Sequence, residues 1–269
     1  MADKIRLSDV AQQAGVSAAT VSRVINGKST VAPATRQAVL TALDLLGYER
    51  PEKLRVRPGG LVGLVVPELT NPIFPVFAQE IESSLSTSGY TPLLCTQTAG
   101  GITEDQYVSL LLDQHVAGII FVSGLHADTA ADPSRYLHLE DRGIPYVTIN
   151  GSNPEIPAPD FSADDADAVE QAVRHLVDSG HRTIGMCTGP RRFRTSQEKA
   201  LGYQRAMAKY LPEENEHISY NLYTVEGGQA GAAELIDEGC TAIVCGSDIM
   251  ALGGIRHARS PRGCQLRRL

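Results

Sequence analysis

From Leu61 onward the chain alternates short, continuous apolar runs with longer amphipathic stretches, and this alternation constrains its fold most tightly. The runs are LVGLVV, TPLLCT, GIIFVS, PYVTIN, TIGMC, SYNLY and TAIVC. LVGLVV has no polar position at all, as suits a strand covered on both faces. Between the runs the spacing predicts helices over 75–88, 104–114, 134–142, 164–179, 196–210 and 229–238, and another from Asp248. Repeated strand–helix units imply parallel sheets with helices on both faces. The loop GSNPEIPAPDFSADD (Gly151 to Asp165), rich in Pro and Asp, divides the repeat into two lobes.

The first stretch of chain follows a different period. Leu7, Val10, Ala11 and Ala14 recur at helical spacing, and Gly15 supplies a stop. A second helix opens at Ser17, whose hydroxyl suits an N-terminal cap, with Val21, Val24 and Ile25 as its apolar stripe. Its other face, Ala18, Ala19, Ser22 and Arg23, is small and carries one charge, so it can lie close to a groove. After the loop NGKSTVA, Pro33 starts a third helix lined by Val39, Ala42, Leu43 and Leu46. Two helices joined by a tight Gly-containing turn, with a third as support, make a helix-turn-helix. ERPEKLRVRPGG then reads as a linker, with two prolines and two glycines.

Charge divides the same way. Residues 1–60 hold nine Lys/Arg against five Asp/Glu, whereas the chain as a whole carries −7. A basic head on an acidic body predicts that only the head meets an anionic polymer. The N-terminus shows no apolar signal segment and no run is long enough to span a bilayer, so a cytoplasmic protein is expected. The cysteines show no CxxC or metal spacing, and Cys95, Cys187 and Cys245 read as reduced core residues; no cofactor or metal is expected. GxGxxG after a strand, GxxxxGK[ST] and a nucleophile matched to a base are all missing, which argues against a nucleotide-dependent enzyme.

LSDVAQQAGVSAATVSRVING, followed by a short basic hinge and two α/β lobes, resembles the lactose-repressor (LacI/GalR) family of bacterial transcription regulators. DVAxxAGVSxxTVSRVxN matches that family's N-terminal signature, and LVGLVVPELTNPIFP, HRTIGMCTGP, SQEKALGY and GSDIMALG extend the likeness to about residue 258. The resemblance implies an all-α helix-turn-helix head plus an α/β periplasmic-binding-protein-like body of two doubly wound lobes, the second incomplete. The expected divisions are head 1–49, hinge linker 50–60, N-terminal lobe 61–158, C-terminal lobe 159–255 and a basic tail 256–269. That tail, RHARSPRGCQLRRL, departs from the family and reads as foreign sequence, or alternatively as a basic extension that binds DNA.

The resemblance also implies a regulator, in the first instance a repressor, that binds double-stranded operator DNA as a homodimer and answers to a sugar or related metabolite. The second helix would enter the major groove with Ala18, Ala19 and Arg23 toward base edges. Arg23 suits G O6/N7. Ser17, Thr20, Ser22, Asn26, Thr30 and Thr35 suit phosphate oxygens. For Ser17, Thr20 and Asn26, a purely local role as cap, back-bond or turn closure is the alternative. In the hinge, Leu54 would wedge into the minor groove, or Lys53, Arg55 and Arg57 would track phosphates from a flexible linker. Positions matching the family's effector cleft are Asn71, Phe74, Asn150, Lys199, Ser247 and Asp248. Core packing for Phe74, a solvated face for Lys199 and a helix cap for Asp248 are their alternatives. Two rival functions stand beside this one: a truncated member that binds DNA weakly without effector response, and a cytosolic solute-binding protein.

Overall fold

The computed structural model describes residues 5–26, 31–48, 59–97 and 100–259. Residues 50–58 of the expected hinge and 260–269 of the expected tail lie outside them. Contacts divide the chain into two compact units, Met1–Leu61 with Glu80–Pro92, and Val62–Gln79 with Leu93–Leu269.

In the first unit, α1 (Leu7–Ala14), α2 (Ala18–Ile25) and α3 (Pro33–Leu46) close on one core. Val10, Val21 and Val39 are fully buried there, with Val24, Ile25, Ala42 and Leu43 around them. Each such side chain contributes about 1.5–3 kcal/mol, enough together to hold three short helices that would not persist alone. Gly15 ends α1 in the left-handed region, φ 64°, and turns the chain at once into the Ser17 cap of α2.

The body has two parallel sheets. The first runs in the order β2 (Thr91–Thr96), β1 (Leu61–Val66), β3 (Gly118–Val122), β4 (Tyr146–Ile149), β5 (Asp160–Phe161). Its registers place Val62 beside Gly118, Ile119 beside Tyr146 and Thr148 beside Asp160. Its helices are α4 (Ile73–Thr87), α5 (Glu104–Asp113) and α6 (Ser134–Asp141). The second sheet is β7 (His217–Tyr220), β6 (Ile184–Thr188), β8 (Ala242–Cys245), with α7 (Asp165–Asp178), α8 (Arg194–Tyr210), α9 (Val225–Asp237) and α10 (Asp248–Arg259). β6 is buried along its whole length. Ile184 and Met186 pack with Val169, Val173, Tyr203 and Met207 from α7 and α8, while Cys187 joins Leu235 and Met250 from α9 and α10. This two-residue alternation puts a helix pair on each face of the strand.

Three elements differ from the sequence reading. The Gly151–Asp165 segment is not only a loop, because Asp160 and Phe161 add a fifth strand to the first sheet. β7 begins two residues before SYNLY and ends at Tyr220, since its register with β6 pairs Gly185 with His217 and Thr188 with Tyr220. α9 begins at Val225, a turn earlier than expected, because Thr224 caps it by accepting from the Gly227 amide at 2.9 Å. The glycines that obscured this turn allow close approach: a Cβ at Gly228 would lie 2.0 Å from the Met250 carbonyl of α10.

Candidate DNA-binding face and effector cavity

In the head, α2 presents Ala18, Ala19 and Arg23 to solvent while Val21, Val24 and Ile25 face the core. Arg23 makes no ion pair or hydrogen bond with any described residue. The hydroxyls are engaged locally. Ser17 Oγ accepts from the Thr20 amide at 3.2 Å and lies 2.9 Å from Thr20 Oγ1. Asn26 folds back on its own helix, Nδ2 donating to the Ser22 carbonyl at 2.7 Å and to Ser22 Oγ at 3.2 Å. Thr35 is half-buried in the first turn of α3. Thr30, Lys53, Leu54 and Arg55 lie outside the described residues.

The body encloses a cavity of about 830 Å³. Its walls are the segments that leave the C-terminal ends of six parallel strands: Pro67–Phe74 after β1, Ser123 and Ala127 after β3, and Asn150 after β4. Phe193, Thr195 and Lys199 follow β6, Tyr223 and Val225 follow β7, and Gly246 to Ile249 follow β8. Parallel sheets open toward ligands at this edge because the strand ends and helix starts gather their unpaired backbone groups there. All six residues expected from the family cleft, Asn71, Phe74, Asn150, Lys199, Ser247 and Asp248, line this one cavity.

Local geometry explains how each is held. Asn71 Oδ1 accepts from the Ile73 amide at 3.3 Å at the start of α4. Phe74 is half-buried and outside the core. Asn150 is left-handed at φ 65°, and its Nδ2 donates to Ser123 Oγ at 2.5 Å. Ser123 itself has φ 47°. Two adjacent non-glycine residues in this sparsely populated region mark a place where the surrounding structure dictates the backbone. Ser247, not Asp248, caps α10, accepting from the Met250 amide at 3.4 Å, so Asp248 is that helix's first residue and its carboxylate is exposed. Lys199 is not on a solvated face. Its Nζ lies 2.7 Å from Asp165 Oδ1, with about a sixth of each side chain exposed.

The residues not anticipated include Ser123, Ala127, Phe193, Thr195 and Tyr223. Tyr223 is fixed by a 2.9 Å hydrogen bond to Ser196 Oγ, and its ring fills the space a side chain at Gly189 would need. Ala127 ends a single 3-10 turn, Leu125–Ala127, supported from behind by the fully buried Glu104. The Glu104 carboxylate accepts from the Leu125 amide at 3.1 Å, from Gln97 Nε2 at 3.2 Å and from the Tyr136 hydroxyl. Burial, then the Glu104 charge, push the Tyr136 phenol up. His126 in the same turn is 1% exposed, its Nε2 3.2 Å from the Ile149 carbonyl, and burial lowers its pKa to about 4. The imidazole is therefore neutral at pH 7.

Among the described residues no cluster of three or more His, Cys, Asp or Glu could hold a metal, and no helix is long and apolar enough to cross a membrane. Residues 6–51 match the model for bacterial regulatory proteins of the lacI family, and residues 60–263 match that for periplasmic binding proteins and the sugar binding domain of the LacI family. The chain is 56% identical, over 94% of its length and 74% of the relative's, to an HTH-type transcriptional regulator in the aml 5′ region of Streptomyces limosus. It is 55% identical, over 94% of its length and 75% of the relative's, to the HTH-type transcriptional regulator MalR of Streptomyces coelicolor. A solved transcriptional regulator CelR–cellobiose complex is similar at 31% identity and a TM-score of 0.63, over 95% of this chain and 78% of that one. A helix-turn-helix head joined to a two-lobed body with a cavity at its strand ends thus has its counterpart in DNA-binding regulators under effector control, not in enzymes. The chain belongs to the LacI family of bacterial regulatory proteins.

Proposed function

We propose that this regulator acts in the cytoplasm as a homodimeric repressor on near-palindromic operator DNA, and that a neutral oligosaccharide in the body cavity controls it. The convergence of six strand ends on one 830 Å³ cavity carries the reading. That volume lies toward the upper end of the range for small-molecule sites, with room for more than one sugar ring. Phe74, Phe193 and Tyr223 offer faces for sugar rings, and Asn71, Asn150 and Ser247 offer hydroxyl-directed hydrogen bonds. The charges favour a neutral ligand. Glu68 and Asp248 are acidic, while Lys199, the one cation of the lining among the described residues, is already paired with Asp165. A phosphorylated sugar would bring its charge to two carboxylates with no free cation among the described lining residues to meet it. The cellobiose of the CelR complex, bound by a relative of the same fold, supports the same chemistry.

On the DNA side, Ala18, Ala19 and Arg23 read the major groove, with Ser17, Thr20, Ser22, Asn26, Thr30 and Thr35 on phosphates and Lys53, Leu54 and Arg55 in the hinge. The proposed divisions are 1–49 for the head, 50–60 for the hinge, and 61–158 and 159–255 for the lobes. Calorimetric titration of the full chain with cellobiose, maltotriose and fructose 1-phosphate tests the cavity. At least one neutral saccharide should bind ten times more tightly than the phosphate, and the opposite order would overturn the assignment. Selection from randomised duplexes should return two half-sites about one helical turn apart.

A further inference from the structure

Cys187 and Cys245 are register partners on β6 and β8, the central strand of the second sheet and its neighbour. Paired residues on adjacent strands point to the same face, and strands are spaced about 4.8 Å apart, within the Cα separation of about 4.4–6.8 Å that disulfides span. The two thiols lie close enough to perturb each other's ionisation. Cys187 is fully buried, and its Sγ rests against α9 where Gly231 has no side chain; a Cβ there would come within 2.3 Å of the sulfur. Cys245 is half-buried, and the next residue, Gly246, lines the cavity. The regulator activity described above makes no use of either thiol.

We propose that Cys187 and Cys245 are an oxidation site that closes to a reversible disulfide when the protein meets a hydroperoxide. The two thiols have unequal roles. Cys187 is fully buried, which holds its thiol protonated, whereas Cys245 is half-buried beside the cavity wall and is the thiol a peroxide reaches. Interaction within the pair draws the Cys245 thiol down and pushes Cys187 up, in the same sense. Cys245 thiolate is therefore the nucleophile. It attacks the terminal oxygen of ROOH, the O–O bond breaks, and the alkoxide leaves with a proton as ROH, giving Cys245 sulfenic acid. Cys187 sulfur then attacks the Cys245 sulfur, forming S–S and expelling hydroxide, which takes the Cys187 proton and leaves as water. Two thiols are oxidised and one peroxide is reduced. The bond ties the C-terminal end of β8 to β6, and with it the Gly246–Asp248 segment of the cavity wall.

The test treats the reduced full chain with a small excess of hydrogen peroxide, followed by peptide mass analysis without reductant. Of five thiols, two should be lost, the peptides holding residues 187 and 245 should appear joined, and dithiothreitol should restore both. In Cys187→Ser, dimedone should label Cys245; in Cys245→Ala, position 187 should stay a thiol. Thiols at 187 and 245 that survive peroxide in the unmodified chain would overturn the proposal. Exclusive pairing through Cys95, Cys240 or Cys264 would overturn it too. Because the first readout uses the unmodified chain, a variant that fails to fold leaves the outcome decided.

Discussion

Ser17 and Arg23 sit six residues apart on one short helix and do different work. Ser17 caps α2, so removing its hydroxyl takes from the Thr20 amide its side-chain acceptor and leaves it only the Ser17 carbonyl. Arg23 is exposed and bound to nothing described, so its removal takes little from the fold. Ser17→Ala should therefore cost the head about 1 kcal/mol in stability. Arg23→Ala should leave thermal unfolding unchanged while losing about 1–3 kcal/mol of discrimination at one base pair per half-site. Unfolding scans beside binding to a panel of operator variants separate the two, and a uniform loss across the panel for Arg23→Ala would remove it from the base-reading role. At this scale the candidate cavity was legible only through motif positions. Asn71, Lys199 and Ser247 lie in recognisable strings, whereas Ser123 and Tyr223 close the apolar runs GIIFVS and SYNLY and read there only as strand ends. Ser123 becomes part of the wall through a positive φ that its residue type does not announce. The Lys199–Asp165 pair joins residues on two helices, a relation that no window of sequence contains.

Strands and helices were more legible because their signals are periodic. β1, β2, β3, β4, β6 and β8 all fall on the apolar runs, and in β1 and β6 burial on both faces demands uninterrupted apolar side chains. β5 was hidden: two residues beside Pro159 have no pattern, and they become a strand only because β4 offers an unpaired edge. The 3-10 turn Leu125–Ala127 was hidden for a different reason, since buried Glu104 and His126 look like surface residues in sequence. That turn gives a pH dependence. The folded protein holds His126 near pKa 4, while the unfolded chain has the ordinary 6.5. Well above pH 6.5 neither form is charged and the group contributes no pH dependence. As pH falls from 6.5 toward 4, the unfolded chain takes up a proton that the folded one refuses, so stability declines with falling pH. Between pH 7 and pH 5 the loss from this group is about 2 kcal/mol. Denaturant unfolding of the wild type and His126→Gln at both pH values isolates it. The difference between the two proteins should shift by that amount in the variant's favour at pH 5, and a constant difference would show that His126 takes up its proton in the folded state.

For the molecule as a whole, the question is whether cavity and DNA-binding face share one free energy. The cavity is built from strand ends of both sheets, so a ligand that touches Asn71 and Asn150 on one side and Ser247 on the other selects one separation of the lobes. If the operator also selects among those separations, thermodynamics makes the influence mutual. The factor by which a saccharide changes operator affinity must equal the factor by which operator changes saccharide affinity. Couplings of this kind typically amount to about 1–3 kcal/mol, roughly 5-fold to 150-fold. Four titrations close the cycle: operator with and without saturating saccharide, and saccharide with and without saturating operator. Salt must be held fixed throughout, because phosphate contacts alone would change the operator constants. Two equal factors in that range are the expected result. If the saccharide binds the full chain with the same affinity whether operator is present or absent, the cavity does not control the head, and the protein binds sugar and DNA as independent events.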